Sequence, residues 1–240
     1  MLIESGFAES LSRILNRPVR FFFNVNGNCA SAIVLGCIAE FPVGAKCAAM
    51  LYEKGLCGKD EAERILPYCN NAGAAFVIGT IGIGIFGDYK AGVIIYAAQI
   101  ISALICGVIF SFPRRKIADY NPIKVSSDMS ISKSIINAGM SMISICGHIC
   151  FFSFILSVII KFVSDPYAVT FISGLFELTN GVSCVNDIAL AGLFCGWSGL
   201  SVHAQISSFV TPHGISMKYC IIGKMMQGAL MFLIILLFSK

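Results

Sequence analysis

Residues 91–112 read AGVIIYAAQIISALICGVIFSF, an apolar run without a charged residue. A helix needs roughly 20 such residues to cross the hydrocarbon core of a bilayer. Two more runs have this character: 135–160, where only His148 could carry a charge, and 219–238, where only Lys224 does. The chain is 57% hydrophobic and 12% charged, whereas soluble domains carry about 25% charged residues. We therefore predict an all-α polytopic membrane protein.

The remaining composition excludes several classes of protein. Residues 1–20 place Glu4 and Glu9 where a signal peptide needs positive charge, so we predict an amphipathic interfacial helix there. The net charge of +4 comes without a basic stripe, which argues against nucleic acid as a partner. The 11 cysteines are odd in number and form no C-x-x-C pair, so we expect no disulfide framework.

Two apolar regions are broken in the middle by polar residues, Gly or Pro. Residues 25–52 contain AEFPVGAK, and residues 167–200 contain FELTNG. Irregular backbone is tolerated at membrane depth only where protein buries it or where it lines a cavity. We therefore interpret both regions as re-entrant hairpins. The Gly-rich segment 71–87 is interpreted as a thin or interrupted span.

Charge in the loops sets a predicted orientation. The loop 113–134 is rich in Lys and Arg and is placed in the cytoplasm. The order of hairpin, broken helix and transmembrane helix then occurs twice with opposite membrane directions, as in many secondary transporters. The predicted divisions are an amphipathic helix (1–20), a first half-repeat (21–112), the cytoplasmic basic loop (113–134), a connecting transmembrane helix (135–160) and a second, inverted half-repeat (161–240).

The two predicted halves differ in one respect. The second half follows helix 135–160, but the first half has no comparable helix before it. We expect either a truncated chain or completion by a membrane partner, and a homo-oligomer is a further possibility.

Several long strings resemble one family: FPVGAKCAAMLYEKGL, EAERILPYCNNAGAAFVIGTIGIGIFG, FELTNG, FCGWSGLSVHAQ and YCIIGKMMQG. They resemble the sporulation integral membrane proteins of the YlbJ type, which carry nucleoside-recognition Gate domains. The resemblance covers about residue 25 to the C-terminus. It implies a protein similar to concentrative nucleoside transporters, with two Gate-like half-repeats, in the forespore or mother-cell membrane. Ala74 stands where the family commonly has Pro, and Ala39-Glu40 stands where it has a Gly-rich step.

Asn70 and Asn71 are the first candidates for substrate binding, together with Gly73. An amide without a partner costs several kcal/mol in hydrocarbon, so both side chains need hydrogen-bond partners. A helix start also favours an anionic group. Substrate contact is one interpretation, and helix capping or packing on a hairpin is the other.

The second hairpin and the segment after it supply the other candidates. Glu177 is an intramembrane carboxylate, which is by default a functional hypothesis, and could bind Na⁺ or H⁺. Its alternative is a structural role, bonded to backbone N–H groups or to Lys224. The hydroxyl and imidazole groups after Trp197, and the amide of Gln205, could either contact substrate or join helices. The candidates in this half are Glu177, Thr179, Asn180, Ser198, Ser201 and His203.

Pro42, Gly44 and Lys46 are predicted to shape the first hairpin, with Lys46 either reaching the cytoplasmic face or attracting an anion. Glu40 is a second carboxylate or a partner of Lys46. Asp187 is expected to pair with Lys224 or with a hairpin.

Metal ligation and enzyme chemistry are both disfavoured. Cys146 and Cys150 share a helix face that excludes His148, so a tetrahedral metal site is poorly made. We expect no cofactor beyond possible Na⁺ or H⁺ coupling. No nucleophile–base arrangement stands out, so we do not expect an enzyme.

The sequence thus favours a transporter-like protein moving a small anion or heterocycle. The family resemblance implies that it acts during sporulation in an endospore-forming bacterium and that the substrate is dipicolinate-like or nucleoside-like. The alternative is a non-transporting scaffold or gate subunit that needs a partner. The lipid bilayer is the expected environment in either case.

Overall fold

The computed structural model describes residues 6–112, 114–119 and 131–238, and every regular element in these ranges is helical. The predicted all-α class is therefore confirmed. The α-helices are α1 (Gly6–Phe23), α2 (Cys29–Ile38), α3 (Val43–Glu53), α4 (Lys59–Ile65), α5 (Tyr89–Phe110), α6 (Ile131–Ile159), α7 (Pro166–Phe176), α8 (Leu178–Ser183), α9 (Ile188–Trp197), α10 (Gly199–Val210) and α11 (Lys218–Phe238). A π-helix covers Ala75–Ile85, and single 3₁₀ turns cover Ile160–Phe162 and Thr211–His213.

Three helices are long and apolar enough to cross a membrane: Tyr89–Phe110, Ser134–Phe162 and Lys218–Phe238. They correspond to the three predicted spans within a few residues. Helices α5 and α11 pack against each other. Helix α6 contacts α7 and α10 and leaves most of its surface exposed, as a helix facing lipid would.

Helix α1 overlaps the predicted N-terminal segment 1–20 and is amphipathic. It packs on α2 and α5. Its buried face carries Ala8, Ser12 and Val19, which are spaced by about one or two helical turns. Its opposite face exposes Ile14 and several arginines. The position of this helix in a membrane interface stays a prediction.

The two predicted hairpins are pairs of short helices. Helices α2 and α3 contact each other across the turn 39–42, and α7 and α8 contact each other across Glu177. Because α2 has 10 residues, it is about 15 Å long, half of a hydrocarbon core of about 30 Å. The second hairpin ends at Ser183, earlier than predicted, because α9 packs along α11 through the close approach of Gly196 and Gly228.

Two breaks position the site: one lies at the start of the predicted interrupted span 71–87, which otherwise forms the π-helix, and the other lies within the predicted hairpin region 167–200. Residues 66–73 are non-helical between α4 and the π-helix. Between α9 and α10 the chain turns at Ser198 and Gly199, with φ values of 72° and 79°. A left-handed conformation suits Gly and ends a helix, so α10 starts in a new direction.

The packing between the halves is reciprocal. Helix α5 of the first half contacts α9 of the second, and α11 of the second half contacts α4 of the first. Likewise α3 contacts α10, and α8 contacts the π-helix. Each hairpin therefore lies beside the broken segment of the other half.

The segment 114–119 lies on one face of the molecule with α4 and the start of α11. Arg115 forms an ion pair with Asp60 and donates a hydrogen bond to the Tyr219 hydroxyl at 3.0 Å. These two partners raise the pKa of the Arg115 guanidinium. The side-chain amide of Asn26 donates to the carbonyl oxygen of Ala118 at 3.0 Å. The polar loops of both halves thus meet at this face.

Candidate functional site

A cavity of about 640 Å³ lies between the turns of the two hairpins. Helix α6 closes one side of it, and α10 and the start of the π-helix close the others. Most of the lining is apolar, which is typical of small-molecule sites with a few placed polar groups. The polar side chains that line it are Glu40, Lys46, Ser141, Glu177, Thr179 and Gln205.

The first hairpin contributes a carboxylate and an ammonium group. Lys46 Nζ donates a hydrogen bond to Ser141 Oγ at 2.9 Å and lies 5.6 Å from the centre of the Phe209 ring. Lys46 therefore lines the cavity and does not reach a loop. Glu40 is exposed at the turn between α2 and α3, and among the described residues it forms no ion pair with Lys46.

The second hairpin contributes Glu177, which is buried at the turn between α7 and α8. One carboxylate oxygen accepts a hydrogen bond from the backbone N–H of Asn180 at 2.8 Å and so caps α8. The side-chain amide of Asn180 donates to Ser153 Oγ on α6 at 3.0 Å. Thr179 lines the cavity beside Glu177. This hairpin is thus held by its own cap and by α6.

Gly73 and Gly199 lie against these two turns. A methyl group on Gly73 would stand 3.5 Å from Glu40 Cβ, and one on Gly199 would stand 3.2 Å from Glu177 Cα. Gly73 and Gly199, at the two breaks, therefore pack against the turns that carry the carboxylates Glu40 and Glu177.

Asn70 and Asn71 are buried beside the cavity and do not line it. Asn70 Oδ1 accepts a hydrogen bond from the backbone N–H of Ala45 at 2.8 Å, and its amide donates to the Leu66 carbonyl at 2.9 Å. The Asn71 amide donates to the carbonyls of Tyr68 at 2.9 Å and Gly36 at 3.3 Å. Both side chains thus join the unwound segment to hairpin one, and their contact with a substrate stays a prediction.

The long helices complete this buried network. Gln99 on α5 donates to the Ala72 carbonyl at 2.8 Å and accepts from its N–H at 3.3 Å. Gln227 on α11 donates to Asn71 Oδ1 at 2.8 Å. Lys224 donates to the Asn70 carbonyl and, at 2.8 Å, to Gln227 Oε1. The unwound backbone of residues 70–72 is therefore satisfied by protein groups, as burial requires.

Lys224 does not pair with Asp187, so that one of the two alternatives is wrong. Asp187 instead accepts hydrogen bonds from the N–H groups of Ala189 at 2.6 Å and Leu190 at 3.2 Å. It is the N-cap of α9, a common role for Asp. The sequence could have indicated this cap, because Asp187 directly precedes the short apolar helix α9.

The predicted residues after Trp197 lie behind the cavity wall. Ser198 donates to the Cys195 carbonyl at 3.1 Å, and Ser201 accepts from the Gln205 amide at 3.4 Å. His203 is buried against the Trp197 ring, with ring centres 4.3 Å apart. Gln205 lines the cavity itself, and its buried Oε1 has no hydrogen-bond partner among the described residues.

The structure thus brings Pro42, Lys46, Glu177 and Thr179 to the cavity and leaves the other predicted residues around it. Gly44 packs against the carbonyl oxygen of Cys69, where no side chain would fit. Sequence reasoning gave both Gln205 and Glu40 too little weight. The available signal was the pattern E-x-x-x-G, which occurs at 40–44 and again at 177–181.

Metal ligands do not cluster in the part of the chain that the structure describes: no three His, Cys, Asp or Glu side chains there could hold one ion. Cys146 and Cys150 are exposed on α6, and the Nδ1 atom of His148 lies 2.7 Å from the Ser144 carbonyl oxygen.

Comparison with known proteins gives one relative. The sporulation integral membrane protein YlbJ of Bacillus subtilis (strain 168) is 22% identical over an alignment 294 positions long, which covers 100% of this chain and 71% of that protein. No protein-family model and no solved structure matches the chain. The full-length likeness to an integral membrane protein supports the resemblance read from the sequence strings and agrees with the apolar helices.

Proposed function

We propose that this chain is a transporter-like membrane protein that binds a small anion or heterocycle in the cavity between its hairpin turns. One observation carries the proposal: two hairpins from different halves each contribute a carboxylate, Glu40 and Glu177, to one cavity of about 640 Å³. That volume is in the range of small-molecule sites. Intramembrane carboxylates of this kind are costly, which favours a functional role.

An inverted repeat is part of the proposal. The reciprocal contacts of α5 with α9 and α11 with α4 support it, as do those of α3 with α10 and α8 with the π-helix. Two sequence patterns recur in the same order, E-x-x-x-G at 40–44 and 177–181, and C-x-x-x-G at 69–73 and 195–199. Transporters with such repeats bind substrate near the bilayer midplane, at broken helices. In this architecture the short hairpins are re-entrant and move to open the cavity.

The groups around the cavity favour a particular kind of ligand. Lys46 offers a positive charge, Thr179 offers a hydroxyl and Gln205 offers an acceptor without a protein partner. An anion that enters beside Glu40 and Glu177 would meet like charge. Protonation of a carboxylate, or a bound Na⁺, removes that repulsion. We therefore propose that substrate binding is coupled to H⁺ or Na⁺ through Glu177.

The biological setting follows from the relative. YlbJ of Bacillus subtilis is named a sporulation integral membrane protein, and we propose that this chain also acts during sporulation, as a multi-pass protein of the forespore or mother-cell membrane. The Gate-like division and the dipicolinate-like or nucleoside-like substrate are part of this proposal. They rest on the likeness of sequence strings and on the cavity.

Uptake into proteoliposomes tests the proposal. Radiolabelled dipicolinate and nucleosides are presented with an inward H⁺ gradient, with an inward Na⁺ gradient and with neither. We expect uptake that depends on one gradient and is lost in Glu177→Gln. Glu63→Gln is the matched control, because Glu63 contacts the backbone of Ser216 on the loop face, away from the cavity. Absence of uptake under all three conditions would contradict the proposal.

A scaffold or gate subunit that needs a partner is the second candidate. The exposed face of the π-helix, with Gly79, Thr80 and Gly84, favours it, because small residues allow close approach of another helix in a membrane. Gentle purification from the native host distinguishes the two candidates. A stoichiometric second membrane protein supports a subunit, whereas a stable homo-oligomer or monomer that transports argues against it.

A further inference from the structure

A second cavity, of about 610 Å³, opens between the end of α1 and the segment 114–119. Three arginines line it, Arg17, Arg20 and Arg114, and no acidic side chain of the described ranges does. Arg17 and Arg20 are exposed, and neither forms an ion pair within the described ranges. This cluster is separate from the hairpin cavity, and the proposed transport does not account for it.

Arg114 is held in position by the end of α1. Its guanidinium donates a hydrogen bond to the Phe21 carbonyl oxygen at 3.2 Å and lies 5.7 Å from the centre of the Phe21 ring. Arg114 therefore points into the cavity from a fixed side. Arg17 and Arg20 face it from one turn of α1, because residues three apart share a helix face.

The cavity lies next to the end of a helix that is long and apolar enough to cross a membrane. The membrane-spanning helix α5 ends at Phe110, so Arg114 is four residues beyond the end of the span. Beside the arginines, Phe21 and Phe22 are 62% and 52% exposed. Exposed aromatic rings next to unpaired cations suit the boundary between acyl chains and phosphates.

We propose that this cavity binds the phosphate of an anionic phospholipid, whose acyl chains lie along Phe21 and Phe22. Arg matches phosphate because its planar guanidinium donates two parallel hydrogen bonds. The phosphate of a phospholipid fits this site better than a free phosphate ion, because the site adjoins the end of a span and its rim is aromatic. The bound lipid fixes α1 and the segment 114–119 to the membrane surface.

The test uses the full chain, purified in a nonionic detergent and freed of lipid. Phosphatidylglycerol is titrated, with phosphatidylcholine and inorganic phosphate as comparison ligands, and bound molecules are counted by native mass spectrometry. Each arginine near an anionic headgroup contributes about a five-fold factor in affinity. We expect Arg17→Gln/Arg20→Gln to weaken phosphatidylglycerol binding by about 25-fold, and wild type to prefer it over phosphatidylcholine.

Arg13→Gln is the control, because it removes one positive charge from the same helix but lies outside the cavity and pairs with Glu9 at 2.6 Å. The double variant leaves the contacts of Arg114 with Phe21 in place, and equal unfolding temperatures check that it is folded. Equal binding by the double variant and wild type would overturn the proposal. So would equal binding of phosphatidylcholine, or displacement of the lipid by millimolar inorganic phosphate.

Discussion

Gly199 lies directly against Glu177: a methyl group on Gly199 would stand 3.2 Å from Glu177 Cα and 3.0 Å from the N atom of Leu178. In the first half, a methyl group on Gly73 would likewise stand 3.5 Å from Glu40 Cβ. In each half, the break of the broken helix therefore supports the turn of the hairpin. The carboxylates of the cavity are placed by backbone contacts that only a small residue permits.

The two glycines should respond differently to substitution by Ala. Gly199 has a φ of 79° and its new methyl group would be crowded, so we expect Gly199→Ala to cost at least about 1–2 kcal/mol. Gly73 has an ordinary φ and an ordinary contact distance, so Gly73→Ala should leave the unfolding temperature in detergent nearly unchanged. Equal losses in the two variants would contradict this account of the breaks.

Asn71→Leu tests the buried network. Leu cannot replace the hydrogen bonds of Asn71 to the Tyr68 carbonyl and to Gln227. Each buried group left without a partner costs about 1–3 kcal/mol. We expect a clear fall in unfolding temperature. Asn137→Leu, at an exposed position of α6, makes the same chemical change and should have little effect.

A stability of Asn71→Leu equal to wild type, with loss of substrate binding, would instead support direct substrate contact by Asn71. Measuring the stability and the substrate binding of Asn71→Leu thus distinguishes a structural role of Asn71 from direct substrate contact.

The sequence was sufficient for the coarse fold because its signals were strong. Uncharged runs predict α5, α6 and α11 through length alone. Polar and glycine-rich interruptions predict the hairpin turns and both breaks, since bare backbone must be buried. The end of the second hairpin could not be predicted. It depends on the approach of Gly196 to Gly228, which are 32 positions apart on α9 and α11.

The site was harder to predict than the fold. Asn70 and Asn71 are conspicuous in the sequence, yet their polar atoms bond to backbone carbonyls and to Gln227, partners that only the tertiary structure supplies. Gln205 is one of several polar residues after Trp197, and its position in the cavity depends on how α10 leaves the break at Ser198. Polar residues in a membrane segment therefore predict a network, but not which atoms are left for a ligand.

Glu177 combines a cap with a charge, and two substitutions separate these roles. Glu177→Gln keeps a side-chain oxygen that accepts from the Asn180 N–H, so we expect stability close to wild type and loss of ion-coupled uptake. Glu177→Ala removes the cap as well and should cost about 0.5–2 kcal/mol. Unfolding temperature and uptake are measured for both variants. A Glu177→Gln protein with normal gradient-dependent uptake would show that the charge is not used.

Cys184 tests the predicted orientation of the second hairpin. It is exposed directly after α8, and the other exposed cysteines, Cys146 and Cys150, lie on α6. In a Cys146→Ser/Cys150→Ser background, we expect a membrane-impermeant thiol reagent to label Cys184 in intact cells, because hairpin two is predicted to enter from outside. Cys184→Ser should abolish the signal. Labelling that appears only after the membrane is permeabilised would place this hairpin, and with it the proposed repeat, in the opposite direction.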